Sequence, residues 1–292
     1  MAALLGAILW LASAMGATLA APSPLPPPLT AVLGSMRGAA ASALRHQWPT
    51  GQAKCDYHVL KGEWYDYEQI WHTGQLAAGL MAARRTLGDD DDNSTANGAR
   101  RAGEWWVAQA VTQAGPTQGI VRSVDSREGG HGCITDACGP TEDLTDISDG
   151  SRGMFLLTNL TGDDVFADVA TRSAYWQLKN MFVPGLDGMY YNVVNMTTGR
   201  HVTTPTMTMT ARQSSSSSST GSIDLIARSN IEGSLFLDAC RHHGDQAMCD
   251  AFLSQADMTV ARQDLHGLWM QWVPNDQTND RFHPRFNTWY AL

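Results

Sequence analysis

The stretch that decides the fold runs from residue 147 to residue 181 and reads ISDGSRGMFLLTNLTGDDVFADVATRSAYWQLKNM. Its apolar residues recur at helical spacing, and the pair Gly162-Asp163 divides it into two segments. Glycine suits the left-handed position that ends one helix, and aspartate can cap the next. The stretch therefore predicts a hairpin of two helices, Ile147–Leu160 and Val165–Met181.

The same pattern occurs twice more along the chain. Gly88-Asp89 and Gly244-Asp245 each follow an apolar helical segment and precede another, so the three turns recur at intervals of 74 and 82 residues. The further helices predicted in this way are Ile70–Leu87, Ala99–Gln113, Ile231–Arg241 and Met248–Ala261. Three turns in register after three apolar helices indicate a repeat of helical hairpins.

The connections between these helices differ in length. Within a hairpin they have about five to twelve residues, whereas from one hairpin to the next they have roughly 25 to 50, and long ordered loops are often functional. Residues 189–194 and 201–204 of the second long loop predict a small β-hairpin insertion. The long loops gather at one end with the N-termini of the first helices, whose free N–H groups favour anions.

The start of the chain resembles a secretory leader. Residues 1–21 are apolar and uncharged and predict a signal peptide, although an uncleaved anchor remains an alternative because a basic segment is missing. Residues 22–50 predict a Pro-rich linker and an Ala-rich helix, and 51–292 the main domain. Three glycosylation acceptors favour a secreted glycoprotein; they are Asn93, Asn159 and Asn195.

The charge balance argues against nucleic-acid binding. The chain has 292 residues, 29 acidic and 20 basic, for a formal charge of −9. A nucleic-acid-binding domain is typically basic, with Lys and Arg clustered on one surface. Beyond the leader, no stretch of sequence is apolar enough to predict a membrane span.

The five cysteines suggest local disulfide bonds rather than a metal site. Cys133 with Cys138 and Cys240 with Cys249 are candidate pairs, while Cys55 would be free or paired elsewhere. Neither a CxxC pair nor an HxxxH helix accompanies them, which argues against zinc. We therefore expect no metal and no cofactor.

Carboxylates are dense where the second hairpin begins. Asp143, Asp146 and Asp149 are the candidate catalytic residues, and the last two share a helix face if the helix has begun there. Glycoside hydrolysis needs one protonated carboxyl group and one that is charged or activates water. Helix capping is the alternative, with Thr145 or Asp146 at the cap and Asp149 in the first turn.

Aromatic and basic residues near other long loops suit a saccharide cleft. Sugar rings pack against aromatic planes, and an arginine can hold a uronate carboxylate by two hydrogen bonds. The candidate substrate-binding residues are Trp71, His72, Tyr67, Asp125, His131, Arg152 and Arg285. Each of them also has a simpler interpretation as a core, loop or surface residue.

The hairpin pattern resembles the six-hairpin glycosidase superfamily of (α/α)6 toroids. Within it, DGSRGM at 149–154 followed by LTGDD at 160–164 resembles unsaturated glucuronyl and rhamnogalacturonyl hydrolases. The resemblance implies an all-α fold and Asp149 as the general acid/base. Our hypothesis is that Asp143 or Asp146 assists it and that the substrate is an oligo- or polysaccharide that contains uronic acid.

The number of repeats departs from the family. Only three complete hairpins can be counted, and a fourth begins near Arg285, so we expect an incomplete toroid that is a fragment or is completed by self-association. Two other functions stay open on this architecture. One is a sugar epimerase or polysaccharide lyase that uses His131 or His266 with a tyrosine, and the other is a non-catalytic glycan-binding protein.

Overall fold

The computed structural model describes residues 29–65, 69–88, 93–122, 141–202, 208–209, 223–224 and 234–269. The chain divides into two units, residues 1–38 and 39–292. In the first unit the described residues, 29–38, are helical. The helical hairpins and the candidate site all belong to the second unit.

The described residues are mostly helical, with short strands in the connections. The helices are α1 Leu29–Arg45, α2 Gln69–Leu87, α3 Ser94–Ala108, α4 Leu144–Thr161, α5 Val165–Asn180, α6 Leu235–His243 and α7 Gln246–Ala261. The strands are β1 Asp56–His58, β2 Glu63–Tyr65, β3 Thr141–Asp143, β4 Val193–Asn195, β5 Thr208–Met209 and β6 Ile223–Asp224. None of these helices is long and apolar enough to cross a membrane.

The three predicted hairpins are confirmed as α2 with α3, α4 with α5 and α6 with α7. Gly88, Gly162 and Gly244 have φ angles of 85°, 70° and 66°, so each takes the left-handed conformation that the turn requires. The aspartates after Gly162 and Gly244 act less uniformly, and Asp89 lies outside the described residues. Asp245 caps α7 by accepting hydrogen bonds from two backbone N–H groups. Asp163 accepts one from Val165 N at 3.3 Å, although the cap residue of α5 is Asp164, whose side chain makes no capping bond.

The second helix of the first hairpin lies about one turn earlier than the sequence predicts. It begins at Ser94, after Asn93 in a left-handed conformation, and ends at Ala108 rather than Gln113. The chain leaves the helix there because Ala110 forms an antiparallel bridge with Val121. A tertiary contact of this kind overrides the local helix propensity.

Within the described residues the predicted β-hairpin contains one bridge, and its first strand also has another partner; residues 203–204 of the prediction lie outside the described part. Val194 forms a bridge with His201, as predicted, but β4 also pairs antiparallel with β3, immediately before α4. The connection after the second hairpin is therefore tied to the start of that hairpin. The Tyr191 and His201 rings stack beside this point, with centroids 3.8 Å apart.

The first helices of the first two hairpins, α2 and α4, run parallel and in close contact. A Cβ atom placed on Gly150 would lie 2.5 Å from the carbonyl oxygen of Ile70, and one on Gly153 would lie 3.0 Å from the Cβ of Ala77. The contact advances in the same direction along both helices. Glycine at these positions lets the two backbones touch.

Helices α4 and α6 are parallel in the same way. Arg152 interacts electrostatically with Asp238, and the rings of Phe155 and His242 lie 5.8 Å apart, one turn further along both helices. The N-termini of α2, α4 and α6 therefore lie at the same end of their hairpins. The second helices supply buried side chains behind them, such as Trp106 of α3, which is fully buried and donates from Nε1 to Ile70 O at 3.1 Å.

A tyrosine ties the connection that follows α5 to the third hairpin. Tyr190 is 3% exposed and packs its ring 5.1 Å from that of Phe236 on α6. Burial raises the pKa of Tyr190 to about 12, because a phenolate is poorly solvated there.

We expect Tyr190 to make the fold sensitive to alkali. Between pH 10 and 12 the unfolded tyrosine loses its proton while the folded one keeps it, so the free energy of unfolding falls as the pH rises. Urea unfolding at pH 9, 10 and 11 measures the fall. A Tyr190→Phe variant should show a smaller fall, and identical pH profiles in both proteins would contradict the assignment.

Candidate functional site

Helix α4 presents one side to the core and the opposite side away from it. Leu144, Ile147 and Met154 are fully buried, whereas Asp149 is half-buried and Arg152 is exposed. A helix advances 100° per residue, which places Asp149 about 160° from Ile147 and about 140° from Met154. Asp149 therefore lies on the side of α4 that faces away from the second helices of the hairpins.

The same side of the neighbouring helices can be assigned in the same way. Trp71 and Gln75 lie on the side of α2 opposite the buried residues of α2. Leu237 and Arg241 lie on the side of α6 opposite the buried residues of α6. We call this surface the inner face and define it by Trp71, Gln75, Asp149, Arg152, Leu156, Leu237 and Arg241. It joins an aromatic ring, a carboxyl group and two guanidinium groups.

Asp146 and Asp149 both belong to helix α4, but they lie on different sides of it. Asp146 is 4% exposed and lies on the side of α4 that carries Gly150 and Gly153, which is the side packed against α2. Asp149 lies about 60° further round, on the inner face. The two carboxylates are adjacent, with one buried in a helix interface and the other accessible.

Neither predicted cap residue, Thr145 or Asp146, caps α4, because the helix begins earlier, at Leu144. The cap residue is Asp143, whose side chain accepts a hydrogen bond from Thr145 N at 3.0 Å. Asp146 is in the first turn and Asp149 in the second. Capping thus accounts for Asp143, and Asp149 does not cap the helix.

The N-terminus of α4 is closed by a residue that the sequence did not single out. The Asn192 carbonyl accepts from Leu144 N at 2.8 Å, and its side-chain oxygen accepts from Thr145 N at 2.8 Å and Thr145 Oγ1 at 2.7 Å. The first N–H groups of α4 are therefore occupied by the protein itself. The expectation that they are free for an anion is wrong for Leu144 and Thr145.

We expect an Asn192→Ala variant to lose about 1 to 3 kcal/mol of unfolding free energy, because Thr145 Oγ1 would lose its buried acceptor. Chemical denaturation measures this loss. Asn180→Ala is the matched control, since Asn180 is an exposed residue whose amide donates to Trp176 O within its own helix. Equal stability of the two variants would show that Asn192 does not hold the start of α4.

A second unpredicted residue is Asp238, which lies between two arginines near the inner face. Burial raises the pKa of its carboxyl group, while the Ser234 hydroxyl, Arg152 and Arg241 act in the opposite direction. The apolar positions 235, 236 and 239 could have placed Asp238 at the edge of the buried side of α6. Its partnership with Arg152 depends on contact between two distant segments and has no local signal.

The remaining predicted residues are distributed as follows. The rings of Trp71 and His72 lie 4.9 Å apart, but His72 is on the side of α2 away from α4. Cys240 and Cys249 form a disulfide bond between α6 and α7, and Cys55 donates from Sγ to Ala53 O at 3.3 Å. Six predicted residues lie outside the described part of the chain: Tyr67, Asp125, His131, Cys133, Cys138 and Arg285. Within the described part no group of His, Cys, Asp and Glu could hold a metal ion.

Comparison with known proteins identifies similar folds but no family. No family model matches the chain, and no curated protein matches it. Among solved structures, an unsaturated glucuronyl hydrolase from Bacillus sp. GL1, described as responsible for the degradation of glycosaminoglycan, matches with a TM-score of 0.53 and 14% identity. A second structure, named with the saccharide dGlcA-Glc-Rha-Glc, has a TM-score of 0.45 and 13% identity over 85% of this chain and 72% of its own.

The first match covers 84% of this chain and 56% of the hydrolase. The chain therefore spans a little over half the length of that protein. Together with the three hairpins and their parallel first helices, the match establishes the architecture. The chain has an all-α fold of the toroid type, built of helical hairpins with small β-hairpins in the connections.

Proposed function

We propose that the chain is a glycoside hydrolase-like protein that acts on a glycan containing uronic acid, with Asp149 as the general acid/base. The observation that carries the proposal is the position of Asp149. Its carboxyl group is half-buried on the inner face, beside Arg152 and in the turn after the buried Asp146. Cleavage of a glycosidic bond requires a positioned carboxyl group that gives a proton to the leaving oxygen.

The neighbouring residues support a uronate substrate. Arg152 and Arg241 place two guanidinium groups on the inner face, and guanidinium binds carboxylate through paired hydrogen bonds. Trp71 offers an aromatic plane on the same face, against which a sugar ring can pack. The hydrolase with the similar fold is described as degrading a glycosaminoglycan, which agrees with this substrate class.

The other two aspartates take supporting roles in this proposal. Asp143 holds the start of α4 through Thr145 N and so fixes the direction in which the second turn points. Asp146 is buried between α2 and α4, which leaves it next to Asp149 but out of reach of a large substrate. We therefore propose Asp146 and Asp143 as positioning residues for Asp149.

The type of reaction can be tested with matched 4,5-unsaturated and saturated uronide oligosaccharides. Hydrolysis produces new reducing ends without creating a carbon–carbon double bond, so reducing ends should increase while the ultraviolet absorbance of the double bond does not rise. Cleavage with rising absorbance would instead identify a lyase. Tight binding with no new reducing ends would identify a non-catalytic glycan-binding protein.

We also propose that the protein enters the secretory pathway. The disulfide bond between Cys240 and Cys249 is typical of an oxidising compartment, and the acceptor residues Asn93 and Asn159 are exposed. Expression in a eukaryotic cell should yield a secreted product whose mass falls on treatment with an N-glycan-removing enzyme. An unglycosylated product retained in the cytosol would contradict this route.

A further inference from the structure

A cavity of about 540 Å³ lies on the outer side of the second hairpin, away from the inner face. Its walls are α5 and the residues 110–119 that follow the first hairpin. The core side of α5 is formed by other residues, including the fully buried Phe166 and Ala170. The volume falls within the range of small-ligand sites, roughly 300 to 1,000 Å³.

Hydrogen bonds between the two walls hold the cavity in shape. Trp176 Nε1 donates to Pro116 O at 2.9 Å, and Ser173 Oγ donates to Gly119 O at 2.9 Å. Both donors belong to α5 and both acceptors to the opposite wall. A ligand would therefore enter a site that is already formed, which lowers the entropy cost of binding.

The charge of the cavity is opposite to that of the chain. Arg172 and Lys179 line it, and no acidic residue is found among the described residues that do. Both side chains are exposed, and they are seven residues apart on one side of α5, a rise of about 10 Å. In a chain with a formal charge of −9, this surface favours a ligand with at least two anionic groups.

An aromatic ring lies between the two cations. Tyr175 is 43% exposed, and its hydroxyl donates to the carboxylate of Asp245 at the start of α7. This hydrogen bond fixes the ring from its far end. The adjoining cavity, of about 480 Å³, shares Arg172 and Tyr175 but also contains Asp168 and Asp245, which repel anions. An anionic ligand therefore favours the first cavity, which has no acidic residue among its described lining.

From this arrangement we propose that the outer cavity binds an acidic oligosaccharide, with Arg172 and Lys179 holding carboxylates of two uronate residues and the Tyr175 ring packing against a sugar between them. The choice of an oligosaccharide among anionic ligands rests on the proposed function. Such a site would hold a polymeric substrate on the outside of the protein while a chain end occupies the inner face.

Calorimetric titration of the full chain tests this site. The background is Asp149→Asn, which slows turnover, and the probe is a hexasaccharide of alternating glucuronate and N-acetylhexosamine. Two binding events per chain are expected. In Arg172→Gln/Lys179→Gln one event should weaken by at least tenfold, because both charge-assisted hydrogen bonds are lost. The matched control is Arg45→Gln/Arg85→Gln, which removes the same charge from exposed positions outside the cavity and should change affinity less than twofold.

Two further measurements separate the contribution of the Tyr175 ring to binding from that of the ligand's carboxylates. Tyr175→Phe keeps the ring and should retain the event, whereas Tyr175→Ala should weaken it. A hexasaccharide whose carboxylates have been reduced to alcohols should not bind in the cavity. An unchanged titration in the Arg172/Lys179 variant would overturn the proposal. A different result would separate the two proposals. If the titration shows a single event that disappears in the Arg172/Lys179 variant, and the parent chain shows no turnover, the outer site is supported and the proposed function is overturned.

Discussion

The free energy of unfolding of a Gly74→Ala variant should be lower than that of the parent chain by about 3 kcal/mol. A Cβ atom at this position would lie 2.0 Å from the carbonyl oxygen of Gly150 on the neighbouring helix. The carbonyl oxygen is part of the backbone and the Cβ atom is fixed to it directly, so neither can turn aside. The overlap can be relieved only by separating α2 from α4. Urea unfolding followed by circular dichroism measures the loss.

Gly79→Ala provides the matched control for this substitution. Gly79 lies in the same helix, and a Cβ atom there would meet nothing within 4 Å. Alanine favours the helix over glycine, so this variant should be more stable than the parent chain by about 0.5 to 1 kcal/mol. A Gly74→Ala variant as stable as Gly79→Ala would show that α2 and α4 do not meet at these glycines.

The hairpins could be predicted from the sequence because their signals are local. Each apolar helix ends at a glycine that needs a left-handed conformation, and Gly88, Gly162 and Gly244 all adopt it. Helix ends were less predictable. Asn93 and Ala110 decide the limits of α3 through a left-handed backbone conformation and a bridge to Val121, for which the sequence has no periodic signal.

The candidate site was predictable only in part, for the same reason. The cluster of carboxylates was visible in the sequence, but the helix that carries it begins at Leu144, which separates the roles of Asp143, Asp146 and Asp149. That beginning depends on Asn192, which is 47 residues away from Thr145. Contacts over such distances arise from tertiary packing and cannot be read from local propensity.

Replacement of Asp149 by asparagine should lower kcat on a 4,5-unsaturated uronide disaccharide by about a thousandfold. Asparagine preserves the size of the side chain but does not donate or accept the proton that the glycosidic oxygen requires, and general acid/base catalysis contributes about 10² to 10⁴ to the rate. Initial rates of disaccharide loss at saturating substrate measure kcat.

Asp257→Asn is the control for the change in charge, because Asp257 is an exposed residue of α7. Its kcat should equal that of the parent chain. The most direct test is therefore the ratio of kcat between the Asp149→Asn and Asp257→Asn proteins under identical conditions. A ratio near one thousandth is the expected result if Asp149 is the acid/base residue on the inner face. A ratio near one would contradict that role and remove Asp149 from the mechanism.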